Sequence, residues 1–232
     1  MIVLDNVGIE YTRGKPVING LSYTMNGGEI HGIVGSNGVG KTTLLHALSG
    51  LLPFKGSIMH DGLTLRNVAF LQADPYFYPH LLGAEYLGFF QALNPKSHIH
   101  YRTLNKLFEL PLDQKMYVEH YSTGMKKKLA LMAVILQDRD VIILDEPFNG
   151  IDLVSNILIS KLLKSLSQKG NTIIITSHIL SVLTDISHSV LWLHHGNVYR
   201  TYKREQFKNI ETEIIELELA DKSHILNEII LT

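Results

Sequence analysis

The sequence contains no cysteine. That absence excludes disulfide bridges, Cys-ligated zinc, iron–sulfur clusters and thiol nucleophiles, and it is compatible with a reducing compartment. Long hydrophobic runs are missing as well. The longest unbroken apolar stretch, residues 129–136, spans 8 positions, far short of the ~20 that a membrane-crossing helix needs. Nor is there an excess of basic charge: Lys and Arg number 21 against 22 Asp and Glu, a formal net charge of −1. A nucleic-acid binder carries a positive footprint, so no nucleic-acid partner is expected. Residues 1–10 hold Asp5 and no basic stretch ahead of an apolar one, unlike a secretory leader, and the chain is expected to stay inside the cell.

What is present describes a globular protein. Apolar residues make up 45% and charged residues 19%, enough to build a core and outside the range of disordered chains. At 232 residues the chain fits one or two units of roughly 150 residues, and the pattern favours one domain over residues 1–232. Residues 1–11 and 17–25 read as β-rich segments around the turn Arg13-Gly14-Lys15-Pro16, which predicts an opening antiparallel layer. Residues 29–34 read as a strand and 41–49 as a helix stopped by Gly50. Short strands are expected at 57–59 and 67–71, joined across His60-Asp61-Gly62. Between 75 and 137 the apolar residues take helical spacing, as an inserted helical subdomain would.

Residues 141–144 read as a strand buried on both faces, residues 153–170 as a helix and 172–176 as the next buried strand. Alternating strands and helices predict an α/β fold, a mostly parallel sheet flanked by helices. Residues 1–73 and 138–200 then form the core, 74–137 the helical subdomain and 201–232 a C-terminal extension. In the extension, residues 215–219 alternate apolar and charged, as a half-buried strand does.

The chemistry starts at Gly35-Ser36-Asn37-Gly38-Val39-Gly40-Lys41-Thr42, followed by Thr43. This matches the phosphate-loop pattern of glycine, four residues, then Gly-Lys-Ser/Thr, between a strand and a helix. Glycines 35, 38 and 40 let backbone amides turn inward around a phosphate, and the helix adds its positive end. Lys41 reaches the β- and γ-phosphates, and the Thr42 hydroxyl suits a magnesium ion, which prefers oxygen ligands. Asp145 leaves the buried strand at the edge where ligands bind in such sheets, as a second magnesium partner. Glu146 beside it is placed to orient a water that attacks the γ-phosphate.

With Tyr121-Ser122-Thr123-Gly124-Met125 between the helical insertion and Asp145, Gln72 after a strand, Asn149-Gly150-Ile151-Asp152, and His178 after another strand, the chain resembles the nucleotide-binding subunits of ABC (ATP-binding cassette) transporters. The likeness covers roughly residues 1–200 and implies a P-loop NTPase. It implies that Tyr11 stacks on adenine, that Gln72 senses the magnesium and the attacking water, and that His178 contacts the γ-phosphate. It further implies that Ser122 and Gly124 bind ATP held by a second subunit, with Asp152 in the linking loop. Taken alone, Tyr11 reads as a strand aromatic, Gln72 as a strand end, Ser122 as a helix cap and His178 as a structural histidine.

The usual signature is Leu-Ser-Gly-Gly-Gln; Tyr121, Thr123 and Met125 depart from it and resemble exporter cassettes that pair with a separate membrane subunit. The resemblance thus implies an ATPase using ATP and Mg2+, a second cassette as partner, a homodimer, and a transmembrane permease that holds it at the inner face of the membrane, with aromatics 76–78 at the coupling surface. For Phe77 and Tyr78, core packing is the equal alternative. Two other functions stay open: a soluble non-transport ABC ATPase, against which stands the gap of only 50 positions between Gln72 and Ser122, and a regulatory nucleotide-binding module. Lys126, Lys127 and Lys128 read as a solvated helix face. The His98/His100 and His194/His195 pairs lack further ligands and read as surface histidines.

Overall fold

The computed structural model describes the chain except residues 13, 61, 63, 96, 98, 231 and 232; for residues 218 and 220–230 it describes the backbone alone. The chain opens with β1 (Ile2–Thr12) and β2 (Lys15–Met25), then β3 (Ile30–Val34) runs into a glycine loop and α1 (Lys41–Leu48). β4 (Lys55–His60) and β5 (Val68–Leu71) precede a run of helices, α2 (Gly83–Leu93), α3 (Tyr101–Phe108) and α4 (Thr123–Leu136). β6 (Val141–Asp145), α5 (Leu153–Gln168), β7 (Thr172–Thr176), α6 (Leu180–Ile186), β8 (Ser189–His194), β9 (Asn197–Lys203) and α7 (Phe207–Ile230) complete it.

Two sheets result. β2, β1 and β4 form a three-stranded antiparallel layer, and β5-β6-β7-β3-β8-β9 a six-stranded sheet in which only β9 runs antiparallel to its neighbour. The expected opening layer and helix-flanked parallel sheet are therefore present, though Arg13 of the expected turn lies outside the described residues. The expected link between residues 57–59 and 67–71 is not a hairpin, because β4 and β5 belong to different sheets; Asp61 of that turn also lies outside the described residues. The chain instead crosses through a 3-10 turn, Leu65–Asn67, from one sheet to the other.

The period of two along each central strand divides the core. Val141, Ile143, Ile174, Ile33, Leu191 and Leu193 face one side, where they meet Leu44, Leu45 and Leu48 of α1 and then Ile2, Leu4 and Val7 of the antiparallel layer. Helix α1 is thus sandwiched between two sheets, which is why it is buried nearly all round. Ile142, Leu144, Ile173, Ile175, Val190 and Trp192 face the other side, toward the helices. The apolar stretch 129–136 is the buried C-terminal half of α4, with every residue inside; a helix apolar on all faces belongs in a core.

The C-terminal extension departs from the expected strand. Residues 215–219 lie within α7, where Ile210, Ile214 and Leu217 pack inward at spacings of four and three while Ile215 and Leu219 are exposed. The local alternation is a short window of a helical pattern, and the contacts on the 3.6-residue period decide the outcome.

Candidate nucleotide site

The loop between β3 and α1 wraps the N-terminus of α1. Gly40 caps that helix at φ 110, a left-handed conformation that glycine adopts without penalty, and a Cβ there would sit 2.8 Å from Ile18 Cδ1. Lys41 Nζ donates to the Gly35 and Ser36 carbonyls at 2.7 and 3.1 Å, so the ammonium already lies inside the ring of loop residues 35–41. Tyr11, on β1, places its hydroxyl 3.2 Å from Thr43 Oγ1 with most of its ring exposed beside the loop.

The sheet brings the remaining groups to the same edge. Asp145 ends β6 and Thr176 ends β7, and the two are register partners. Thr42 Oγ1 donates to Asp145 Oδ2 at 2.7 Å, and Thr176 Oγ1 donates to Asp145 Oδ1 at 2.5 Å. The same Thr176 oxygen accepts from the Glu146 amide at 3.0 Å. Glu146 has φ 49, a rare conformation for a residue other than glycine and one that clusters at functional sites. Its Oε2 meets His178 Nδ1 at 2.9 Å and the His178 amide at 3.3 Å. A continuous chain thus runs Thr42, Asp145, Thr176, Glu146, His178. Thr42 Oγ1 and Asp145 Oδ2 are hard oxygen donors within hydrogen-bond distance of each other, a pair that fits magnesium completed by phosphate and water oxygens.

Ser122, Gly124 and Asp152 form a second cluster. Ser122 Oγ accepts from the Met125 amide at 3.2 Å as the N-cap of α4, and Asp152 caps α5 by accepting from the Ser155 amide at 2.9 Å. A Cβ on Gly124 would lie 2.5 Å from the Gly150 carbonyl oxygen, so only glycine lets the first turn of α4 touch the Gly150 loop. Lys128 Nζ binds Asp152 Oδ2 at 2.8 Å; this bond, with the Ser155 amide and hydroxyl, holds the Asp152 carboxyl far below the usual range. Residues 146–152 therefore run directly from the first cluster to the second. Tyr121 stands where leucine is usual and fills the helical core against Gly83.

Gln72 follows β5, beside β6, and is exposed; it lines a cavity of about 310 Å³ with Pro75, Tyr76, Tyr86 and Phe90. The aromatics beyond it divide. Phe77 packs on Tyr86 at 5.0 Å between ring centroids, whereas Tyr76 and Tyr78 are 73% and 71% exposed. Phe77 is half-buried against the helical core and Tyr78 is a surface residue.

Two groups escape the sequence patterns. Thr176 bridges the Asp145 carboxylate and the Glu146 amide from a neighbouring strand, and its only sequence signal is a hydroxyl at the end of a buried β run. The three lysines are not a solvated face: Lys127 is 3% exposed and donates to the Ala73 carbonyl, and Lys128 holds Asp152. Burial pushes the Lys127 ammonium down, opposed by Asp145, Asp74 and Glu146. Of the histidine pairs, His98 lies outside the described residues. Among the described residues no group of three His, Cys, Asp or Glu is placed to hold a metal, and no helix is long and apolar enough to cross a membrane.

The ABC transporter family profile matches residues 18–149. An uncharacterised ABC transporter ATP-binding protein of Bacillus subtilis, YcbN, is 31% identical over 93% of the chain and 74% of its own length. SkfE of the same organism, the SkfA peptide export ATP-binding protein, is 30% identical over 90% and 91%. Among solved structures, the dimeric ATP-binding cassette MJ0796 with ADP and Pi superposes with a TM-score of 0.78 at 20% identity, over 88% of this chain and 99% of its own. With a phosphate loop, an adjacent pair of carboxylates and a matching family profile over more than half its length, the chain belongs to the ABC transporter family, as an ATP-binding subunit and a P-loop ATPase.

Proposed function

We propose that two copies of this chain close head to tail around two ATP molecules with Mg2+, and that hydrolysis drives export of a solute through a separate membrane subunit. The observation that carries this reading is the hydrogen-bonded chain from Thr42 to His178 at the mouth of the phosphate loop. Lys41 and the loop amides of residues 35–43 hold the phosphates, and Tyr11 stacks on adenine. Thr42 and Asp145, with Gln72 nearby, hold magnesium, which neutralises phosphate charge when bound. Glu146 orients and deprotonates the attacking water, while His178 positions Glu146 and meets the γ-phosphate. Most of the acceleration comes from positioning and charge stabilisation rather than covalent chemistry.

Ser122 and Gly124 serve the nucleotide of the opposite subunit: the N-terminus of α4 offers amides and a positive dipole end to an anion. Leu153 and Val154, next to Asp152, are 76% and 67% exposed, which is consistent with a partner closing over this edge. The export assignment follows SkfE, a peptide-export ATP-binding protein. A permease holding the subunit at the inner membrane face docks on the exposed Tyr76 and Tyr78, so Tyr78→Ala lowers transport and spares basal hydrolysis, and an unchanged transport rate contradicts that docking site.

Phosphate release by the purified chain tests the reading. The wild type turns over Mg-ATP, and Glu146→Gln loses roughly 10²–10⁴-fold in kcat while retaining ATP binding. Absence of wild-type turnover contradicts it.

A further inference from the structure

Three consecutive lysines open α4, and each ends on a different loop. Successive helical residues point about 100° apart, so Lys126, Lys127 and Lys128 diverge. Lys126 Nζ donates to the Glu119 carbonyl at 3.2 Å, just before the signature segment. Lys128 Nζ binds Asp152 at 2.8 Å. Lys127 Nζ donates to the carbonyl of Ala73, the residue after Gln72.

Lys127 is the unusual member because its charge is enclosed. A buried ammonium is unfavourable unless hydrogen-bonded and paired, and a methionine or leucine would fill the same volume without that cost. Here the charge lies within electrostatic reach of Asp145, Asp74 and Glu146, two of them the carboxylates of the candidate magnesium and water sites. Its hydrogen bond reaches the backbone of the segment that carries Gln72. One side chain on the signature helix therefore links the Gln72 segment and, through three residues of α4, Gly124.

We propose that Lys127 is a positioning residue that fastens the Gln72 segment to the signature helix, so that Gln72, at this subunit's own nucleotide, and the Ser122–Gly124 surface, facing the opposite subunit's nucleotide, move as one unit. The inference rests on the reading of Gln72 as the sensor of the attacking water. Lys127 touches neither substrate nor metal; it acts through the placement of residues 72–74.

The test combines kinetics with hydrogen exchange. Lys127→Met removes the donor and the charge at similar volume. It is expected to lower kcat roughly 10- to 100-fold, as small misplacements of reacting groups do, with little change in KM for ATP. In a Gln72→Ala background the same substitution is expected to have no further effect, because both act through one group; Lys127→Arg restores most of the rate. Amide exchange in residues 71–76 rises in Lys127→Met, while residues 35–43 stay as protected as in the wild type.

Additive losses with Gln72→Ala, or an exchange profile unchanged in residues 71–76, overturn the proposal. If Lys127→Met does not fold, Lys127→Gln enters the same cycle, with a smaller loss and the same lack of additivity expected. The exchange measurement needs no turnover, so an inactive wild type would contradict the proposed function while the exchange profile still decided the role of Lys127.

Discussion

Thr176 Oγ1 donates to Asp145 Oδ1 at 2.5 Å while accepting from the Glu146 amide at 3.0 Å. One hydroxyl on β7 thus orients the carboxylate assigned to magnesium and pins the strained backbone of the carboxylate assigned to water.

Thr176→Val keeps the shape and β preference of the side chain but removes both bonds. Leaving buried groups unpaired costs about 1–3 kcal/mol, and loss of a partner that orients a metal ligand typically costs 10–100-fold in metal affinity or activity. The expected result is a lower kcat and a raised Mg2+ requirement with ATP binding preserved, measured by a magnesium titration of phosphate release. Wild-type behaviour would remove Thr176 from the site.

The cap role of Ser122 and the nucleotide role proposed for it can be separated by one substitution. As the N-cap of α4 it accepts from Met125, and aspartate caps as well as serine does and favours the helix dipole. Ser122→Asp should leave the thermal midpoint unchanged or slightly higher, yet repel a phosphate in the partner site and abolish ATP-driven dimerisation. A stable Ser122→Asp protein that still dimerises would reduce Ser122 to a cap.

Much of this site was legible in the sequence because its chemistry fixes spacing. Gly35 to Thr42 needs a strand before it and a helix after it, and β3 and α1 supply them. Asp145 and Glu146 were legible as charges at the end of a buried apolar run. Thr176 was not, because its role depends on strand register between β6 and β7, which no local pattern encodes. Lys127 was misread because three adjacent lysines carry no sign of which one faces inward; the loop at Ala73, distant in sequence, decides it. Residues 215–219 were misread because five positions fit both periods, and only Ile210 and Ile214 reveal the helix.

His31 makes stability depend on pH. It is 1% exposed, with Nε2 on the Asn26 carbonyl at 3.0 Å and Nδ1 on Ser189 Oγ at 2.9 Å, so the ring is satisfied when neutral, with its proton on Nε2. Burial pushes its pKa below the ordinary 6.5, helped by His188 and the N-terminal amine and opposed by the Asn26 bond and Glu29. Because the unfolded chain takes up the proton first, the stabilisation is complete above pH 6.5 and declines as pH falls toward the folded-state value. One proton corresponds to a slope of at most about 1.4 kcal/mol per pH unit. Denaturant titrations between pH 7.5 and 5 should show this decline, and His31→Gln should flatten it; equal slopes in both proteins would assign the effect to other groups such as His60, which burial also lowers.

In the proposed dimer, Ser122 and Gly124 of one copy complete the site of another. Light scattering on Glu146→Gln, with and without Mg-ATP, tests it most directly, because blocked hydrolysis holds the closed state. The expected result is a monomer without nucleotide and a dimer with Mg-ATP, reversed when Lys41→Ala removes the phosphate ligand. A monomer under both conditions would contradict a homodimeric composite site.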